Sequence, residues 1–166
     1  MAYIGRASSK AARRAPCLFC AKGRLKPGRR NLVLAATPGV IVMLNLYPYN
    51  VGHTMVAPRR HQGSLARLSA AEAADVTLWL GRMERVLKRV YRPQGFNVGL
   101  NLGRVAGAGV PGHLHWHVVP RWNGDTNFMP VTGDTKVLPE SIARTYARLR
   151  RALDGIDAPP ARRVRR

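Results

Sequence analysis

From position 113 the chain reads His113-Leu114-His115-Trp116-His117-Val118-Val119, three histidines alternating with apolar residues. Successive side chains of an extended strand point to opposite faces. The alternation therefore predicts a β-strand with His113, His115 and His117 on one face, each roughly 7 Å from the next. Leu114, Trp116 and Val118 face the other way, towards a core. Imidazole has a resting pKa of about 6.5, the closest of any side chain to neutrality. A row of three can offer a neutral nucleophile, a proton donor and a metal ligand together. By spacing alone the row also fits a zinc site or a solvated edge strand.

With 46% hydrophobic residues in 166, the chain can bury a core of its own and fits a single domain. Its longest apolar region, residues 32–49, is interrupted by Thr37-Pro38-Gly39 and reads as two strands, so no stretch is long enough to cross a bilayer. No signal-peptide apolar core opens the sequence, which points to a cytoplasmic protein. Charge is the outlier: 28 Lys+Arg against 8 Asp+Glu give a formal +20. Such a balance attracts polyanions, nucleic acid and anionic lipid included. Much of the excess is terminal, in a basic arm (1–16) and a Pro/Arg-rich tail (154–166), around a domain spanning 17–153. An arginine-rich proteome produces the same bias with no nucleic-acid partner.

Hydrophobic patterning orders the rest. Residues 31–36 and 40–44 form a predicted hairpin about Pro38-Gly39, and 53–57 a third strand. Ser69-Ala70-Ala71-Glu72 has capping-box form and opens an amphipathic helix. In it Val76, Trp79, Leu80, Met83, Val86, Leu87 and Val90 recur every three or four residues before Pro93. Arg82, Arg85, Lys88 and Arg89 make its solvated face. Residues 96–102 alternate as a strand, a loop over 103–112 carries four glycines, and 138–153 suit a last helix begun by Pro139-Glu140. Cys17 and Cys20 make one C-x-x-C: half of a metal site, a redox pair, or coincidence.

Taken together, Cys17-Leu18-Phe19-Cys20, Leu44-Asn45, Gly52-His53-Thr54-Met55-Val56-Ala57-Pro58, Asn101 and His113-Leu114-His115-Trp116-His117 resemble the histidine triad (HIT) family of nucleotidyl hydrolases and transferases. The continuation through Trp122-Asn123-Gly124-Asp125-Thr126-Asn127-Phe128 is similar to a bacterial branch acting on diadenosine tetraphosphate. The resemblance implies an α+β fold, a five-stranded antiparallel sheet with two helices, paired into a homodimer. It implies a structural zinc on Cys17, Cys20, His61 and His113, a Cys₂His₂ set that leaves no position open for substrate. It implies His115 as the nucleophile, His117 as a contact to the phosphoryl or leaving oxygen, and His53 as a support from the neighbouring strand. Leu18, Phe19 and Leu46 then wall the purine, and Asn45 and Asn101 meet ribose or phosphate. Gly107, Gly109 and Val110 hold phosphate through main-chain N–H groups. Many members carry Gln followed by Ser or Thr where this chain has Gly109-Val110, and Asp where it has Asn45. Trp122, Asn127 and Phe128 border the distal half of a dinucleotide. The implied reaction cleaves a dinucleoside polyphosphate, with Mg²⁺ carried by the substrate. Alternatives are hydrolysis of nucleoside phosphoramidates, and a basic protein that binds nucleic acid or removes adenylate from it.

Overall fold

The computed structural model describes residues 16–125 and 139–156. Five strands, β1 (Val33–Ala36), β2 (Val40–Leu44), β3 (Thr54–Pro58), β4 (Gly95–Leu100) and β5 (Trp116–Arg121), form one sheet in the order β1-β2-β3-β5-β4. Every pairing is antiparallel. After β3 the chain runs through helix α2 (Ala70–Tyr91), lays β4 along the edge, and returns through the 101–112 loop so that β5 fills the gap. A short helix α1 (Leu18–Gly23) precedes the sheet, and α3 (Ile142–Ile156) follows it. The implied antiparallel sheet with two long helices is present; α1 is additional.

Strand parity sorts the core into two faces. Val40, Val42 and Leu44 of β2 pack with Val56, Val118 and the buried stripe Val76, Met83, Val86 and Leu87 of α2, together with Leu149 and Leu153 of α3. Each such side chain, fully buried, contributes about 1.5–3 kcal/mol. The intervening residues Ile41, Met43, Met55 and Ala57 point to the opposite face and meet Phe19 of α1. Long helices thus cover one face of the sheet and leave the other to short segments and loops.

Helix α2 starts as its sequence predicts. The Glu72 N–H donates to Ser69 Oγ at 3.2 Å and the Ser69 N–H to Glu72 Oε2 at 2.9 Å, a closed capping box. Arg60 also grips Glu72 at 2.7 and 2.8 Å, and this contact above all pulls the carboxyl down to about 2. Replacing Ser69 by alanine is expected to cost about 1 kcal/mol, read as a lowered urea midpoint at unchanged slope. On the face expected to be solvated, Arg85, Lys88 and Arg89 are exposed, with Lys88 paired to Glu84 at 2.6 Å, while Arg82 lies 4.5 Å over the Trp79 ring and is part-buried. Helix α3 begins later than expected, because the Arg144 N–H reaches back to Ser141 Oγ while Glu140 is engaged by Tyr91, Thr145 and Arg148.

Candidate active site and metal site

Met55 of β3 lies opposite His117 of β5, which puts His117 on the sheet face away from α2 and α3. Odd-numbered neighbours share that face, so His53, just before β3, turns the same way. The regular strand begins only at Trp116. His113 and His115 precede it, His113 in a bend, because this stretch bonds elsewhere: the His113 N–H to Val110 O at 3.2 Å and the Leu114 N–H to Gln62 O at 2.7 Å. The alternation persists across this irregular start. His115 and His117 rings sit 5.1 Å apart, and both His113 and His115 contact Phe19.

The hydrogen bonds fix which nitrogen carries each proton. His115 Nδ1 lies 2.8 Å from the His113 carbonyl oxygen, which can only accept, so Nδ1 is the protonated nitrogen and Nε2 keeps a free lone pair. The Tyr49 N–H donates to His53 Nδ1 at 3.0 Å, so the His53 proton resides on Nε2. That nitrogen is 2.9 Å from His117 Nδ1 and donates to it, leaving neutral His117 with its own proton on Nε2. The face therefore presents a bare lone pair from His115 beside an N–H from His117. Burial holds His115 below the usual imidazole range; His117 is pushed down to about 4, by burial first and by His115 second. Both rings are thus neutral at pH 7.

A second cluster lies beneath. One ligand atom each from Cys17, Cys20, His61 and His113 falls within 4.8 Å of all the others. Cys17 Sγ and Cys20 Sγ are 3.3 and 3.6 Å from His113 Nδ1, and Cys20 Sγ is 3.3 Å from His61 Nδ1. Metal bonds of about 2.3 Å to sulfur and 2.0 Å to nitrogen at a tetrahedral angle give a separation of roughly 3.6 Å. The four residues therefore fit a metal ion. His113 Nε2–H donates to Pro58 O at 2.8 Å, which frees Nδ1 for the cluster and fixes the ring. The Cys20 thiol is pushed up, first by burial and then by Cys17 beside it, so a central cation is what would hold both as thiolates. The sulfurs converge because Cys17 and Cys20 bracket the first turn of α1.

The other sequence-derived residues divide. Leu18 and Leu46 are 40% and 55% exposed and available to a ligand, whereas Phe19, at 2%, is buried with its ring stacked 4.8 Å from His115. Asn45 Oδ1 accepts the Tyr47 N–H at 3.0 Å and its Nδ2 approaches His53 Nδ1 at 3.5 Å, so the amide braces its own turn. Gly107 takes φ +89° and its N–H bonds to Arg104 O at 2.9 Å. Ala108 N–H likewise bonds to Gly103 O, and Gly109 and Val110 are among several loop N–H groups with no main-chain partner among the described residues. Asn101 packs against Gly107, where a Cβ would come within 3.4 Å of Asn101 Nδ2. Trp122 follows β5 with its N–H on Asp125; Asn127, Phe128 and residues 1–15 and 157–166 of the basic tails lie outside the described residues. Sequence reasoning misses Tyr49, whose ring lies over His53 and His117; the Tyr-Pro-Tyr-Asn turn ahead of Gly52-His53 is the only trace of it.

Known proteins resemble this chain in sequence and fold. Residues 29–124 match the HIT domain. An "AP-4-A phosphorylase" of Mycobacterium tuberculosis is 49% identical over 114 residues, 69% of this chain and 58% of that protein. The chain thus spans little more than half the length of that relative. An adenosine 5'-monophosphoramidase of Schizosaccharomyces pombe is 32% identical over 76% of this chain and 90% of its own. In three dimensions, a zinc-bound histidine triad family protein from Mycobacterium smegmatis superposes with TM-score 0.67 at 26% identity, covering 85% of this chain and 95% of that one. With the match to the domain, the identity to these relatives and the site geometry in agreement, the chain belongs to the HIT-domain family.

Proposed function

We propose that the protein is a nucleotidyl hydrolase or phosphorylase that cleaves dinucleoside polyphosphates of the diadenosine tetraphosphate kind through a nucleotidyl-His115 intermediate. The observation carrying this reading is the 2.8 Å bond from His115 Nδ1 to the His113 carbonyl, which leaves Nε2 unprotonated with a free lone pair. Attack on the α-phosphorus forms a P–N bond and expels the leaving oxygen with its electron pair. His117 Nε2–H, held by His53, donates a hydrogen bond to that oxygen. Water or phosphate then takes the nucleotidyl group from His115. Gly109 and Val110 N–H groups, beside Asn101, suit the phosphate oxygens; Leu18 and Leu46 offer apolar contact to a base, and Asn45 reaches ribose only if its amide leaves the turn. The Mycobacterium tuberculosis relative's name supports the substrate class.

The same reading makes the metal a structural zinc on Cys17, Cys20, His61 and His113, and brings Mg²⁺ with the substrate. It places the protein in the cytoplasm, consistent with no helix among the described residues being long and apolar enough to cross a membrane. It pairs two copies, for which the exposed edge strand β4, with Val98 51% accessible, leaves room. The domain is taken as 17–153 with basic segments 1–16 and 154–166, although α3 carries ordered chain on to Ile156. Labelled inorganic phosphate supplied with diadenosine tetraphosphate tests the acceptor: labelled ADP identifies a phosphorylase and unlabelled AMP a hydrolase. Absence of both products removes the substrate assignment. Hydrolysis of nucleoside phosphoramidates is the second reading, favoured by the name of the Schizosaccharomyces pombe relative. A higher kcat/KM on adenosine 5'-phosphoramidate than on the tetraphosphate decides for it.

A further inference from the structure

We infer that Tyr49 is a positioning residue that holds the His53–His117 pair in the one tautomer able to present a proton to the leaving group. The inference rests on the nucleotidyl-transfer reading above and deepens it. Two features of Tyr49 converge on the pair. Its main-chain N–H donates to His53 Nδ1 at 3.0 Å, which places the His53 proton on Nε2 and, through the 2.9 Å bond, the His117 proton on the outward Nε2. Its ring lies 4.5 Å from the His53 ring and 5.8 Å from the His117 ring, within 19° of parallel to the latter.

His53 is wholly buried while Tyr49 is 51% exposed, so the phenol ring forms the solvent side of the inter-histidine hydrogen bond. Water admitted there could donate to His117 Nδ1 or accept from His53 Nε2, and either contact competes with the native bond. The turn bearing Tyr49 is itself fastened. Asn50 Nδ2 donates to Pro120 O at 3.1 Å and to Asp125 Oδ2 at 2.8 Å. Gly52, at φ +79°, lies where a Cβ would meet Leu87 at 2.9 Å, which seats the turn against α2. A turn fastened in this way keeps the Tyr49 ring over the His53–His117 pair.

In the chemical step the His115 Nε2–P bond forms, the P–O bond breaks, and its electron pair settles on the leaving oxygen under the His117 N–H. That hydrogen bond matters most when the leaving oxygen is strongly basic. The test uses adenosine 5'-phosphate aryl esters ranging from p-nitrophenyl to unsubstituted phenyl, with the metal-loaded wild type, Tyr49→Phe and Tyr49→Ala. Tyr49→Ala is expected within about threefold of wild type on the nitrophenyl ester and slowed at least tenfold in kcat on the phenyl ester, consistent with loss of part of one transition-state hydrogen bond. Tyr49→Phe keeps the ring and matches wild type on both. In ¹⁵N spectra, wild-type His53 and His117 are each protonated on Nε2; Tyr49→Ala keeps the main-chain donor and the His53 tautomer, but shows His117 as a mixture of tautomers. Equal losses on both esters, no loss on either, or unchanged single tautomers in Tyr49→Ala overturn the inference. The tautomer measurement needs no turnover, so it decides on Tyr49 even if wild type cleaves none of the esters, a result that counts against the nucleotidyl-transfer reading instead.

Discussion

His115→Asn is expected to lower turnover of a dinucleoside polyphosphate by about 10⁴–10⁶-fold, the range typical of deleting an enzyme's nucleophile. Asparagine is the informative choice. Its Nδ2–H can replace the ring Nδ1–H that now donates to the His113 carbonyl, but it offers no lone pair to phosphorus. His115 is 5% exposed and stacked on Phe19, so alanine would add a packing defect that asparagine largely avoids. Nucleotide binding by calorimetry and the thermal midpoint should both stay near wild type. Wild type mixed with labelled substrate should trap label on the protein in an acid-labile, alkali-stable form, as a phosphorus–nitrogen bond requires, and the variant should trap none. Retention of more than about 1% of wild-type turnover would remove His115 from the mechanism.

Loss of the metal should act on stability and activity together. Cys17→Ala or Cys20→Ala is expected to abolish binding of one metal ion per chain, read by elemental analysis. Either is also expected to lower the thermal midpoint by roughly 10 °C, corresponding to a loss of about 3 kcal/mol. The cluster joins α1, the stretch around His61 and the entry to β5, adding to the Phe19–His113 packing and the Leu114 N–H bond to Gln62 O that also link them. Turnover should fall too, although the metal lies outside the reacting row, because His113 serves both sites. Its Nδ1 faces the cysteines and its carbonyl holds the His115 Nδ1–H. Faster amide exchange is expected over 17–23, 59–63 and 113–115, and little change in α2. A cysteine variant with wild-type stability would show that the four residues do not carry a structural ion.

Much of this was legible in the sequence where the physics is local. Period-two alternation put His115 and His117 on one face, and Ser69-x-x-Glu72 set the start of α2 to the residue. The four metal-binding candidates followed from a resemblance, and no spacing rule would have united Cys17 with His113 across 96 positions. What escaped depends on partners distant in the chain. The strand expected from His113 begins at Trp116 because Gln62 takes the Leu114 N–H. α3 starts at Ile142 because Glu140 is drawn to Tyr91. Phe19 reads as a ligand wall in sequence but lies under the histidines, since α1 presses it into the lower core. Tyr49 carries no motif; its importance arises only when β3 and β5 become neighbours.

The 93-residue separation between Cys20 and His113 has a consequence during synthesis. At ribosomal speeds of about 5–20 residues per second, the thiols wait roughly 5–19 s for their last partner. Through that interval they are open to oxidation and to competing ions, and the fastening ligand emerges only two residues ahead of His115. On the proposed reading, a nascent chain gains its metal clasp and its reactive ring almost at once, so it does not become competent while still loosely closed.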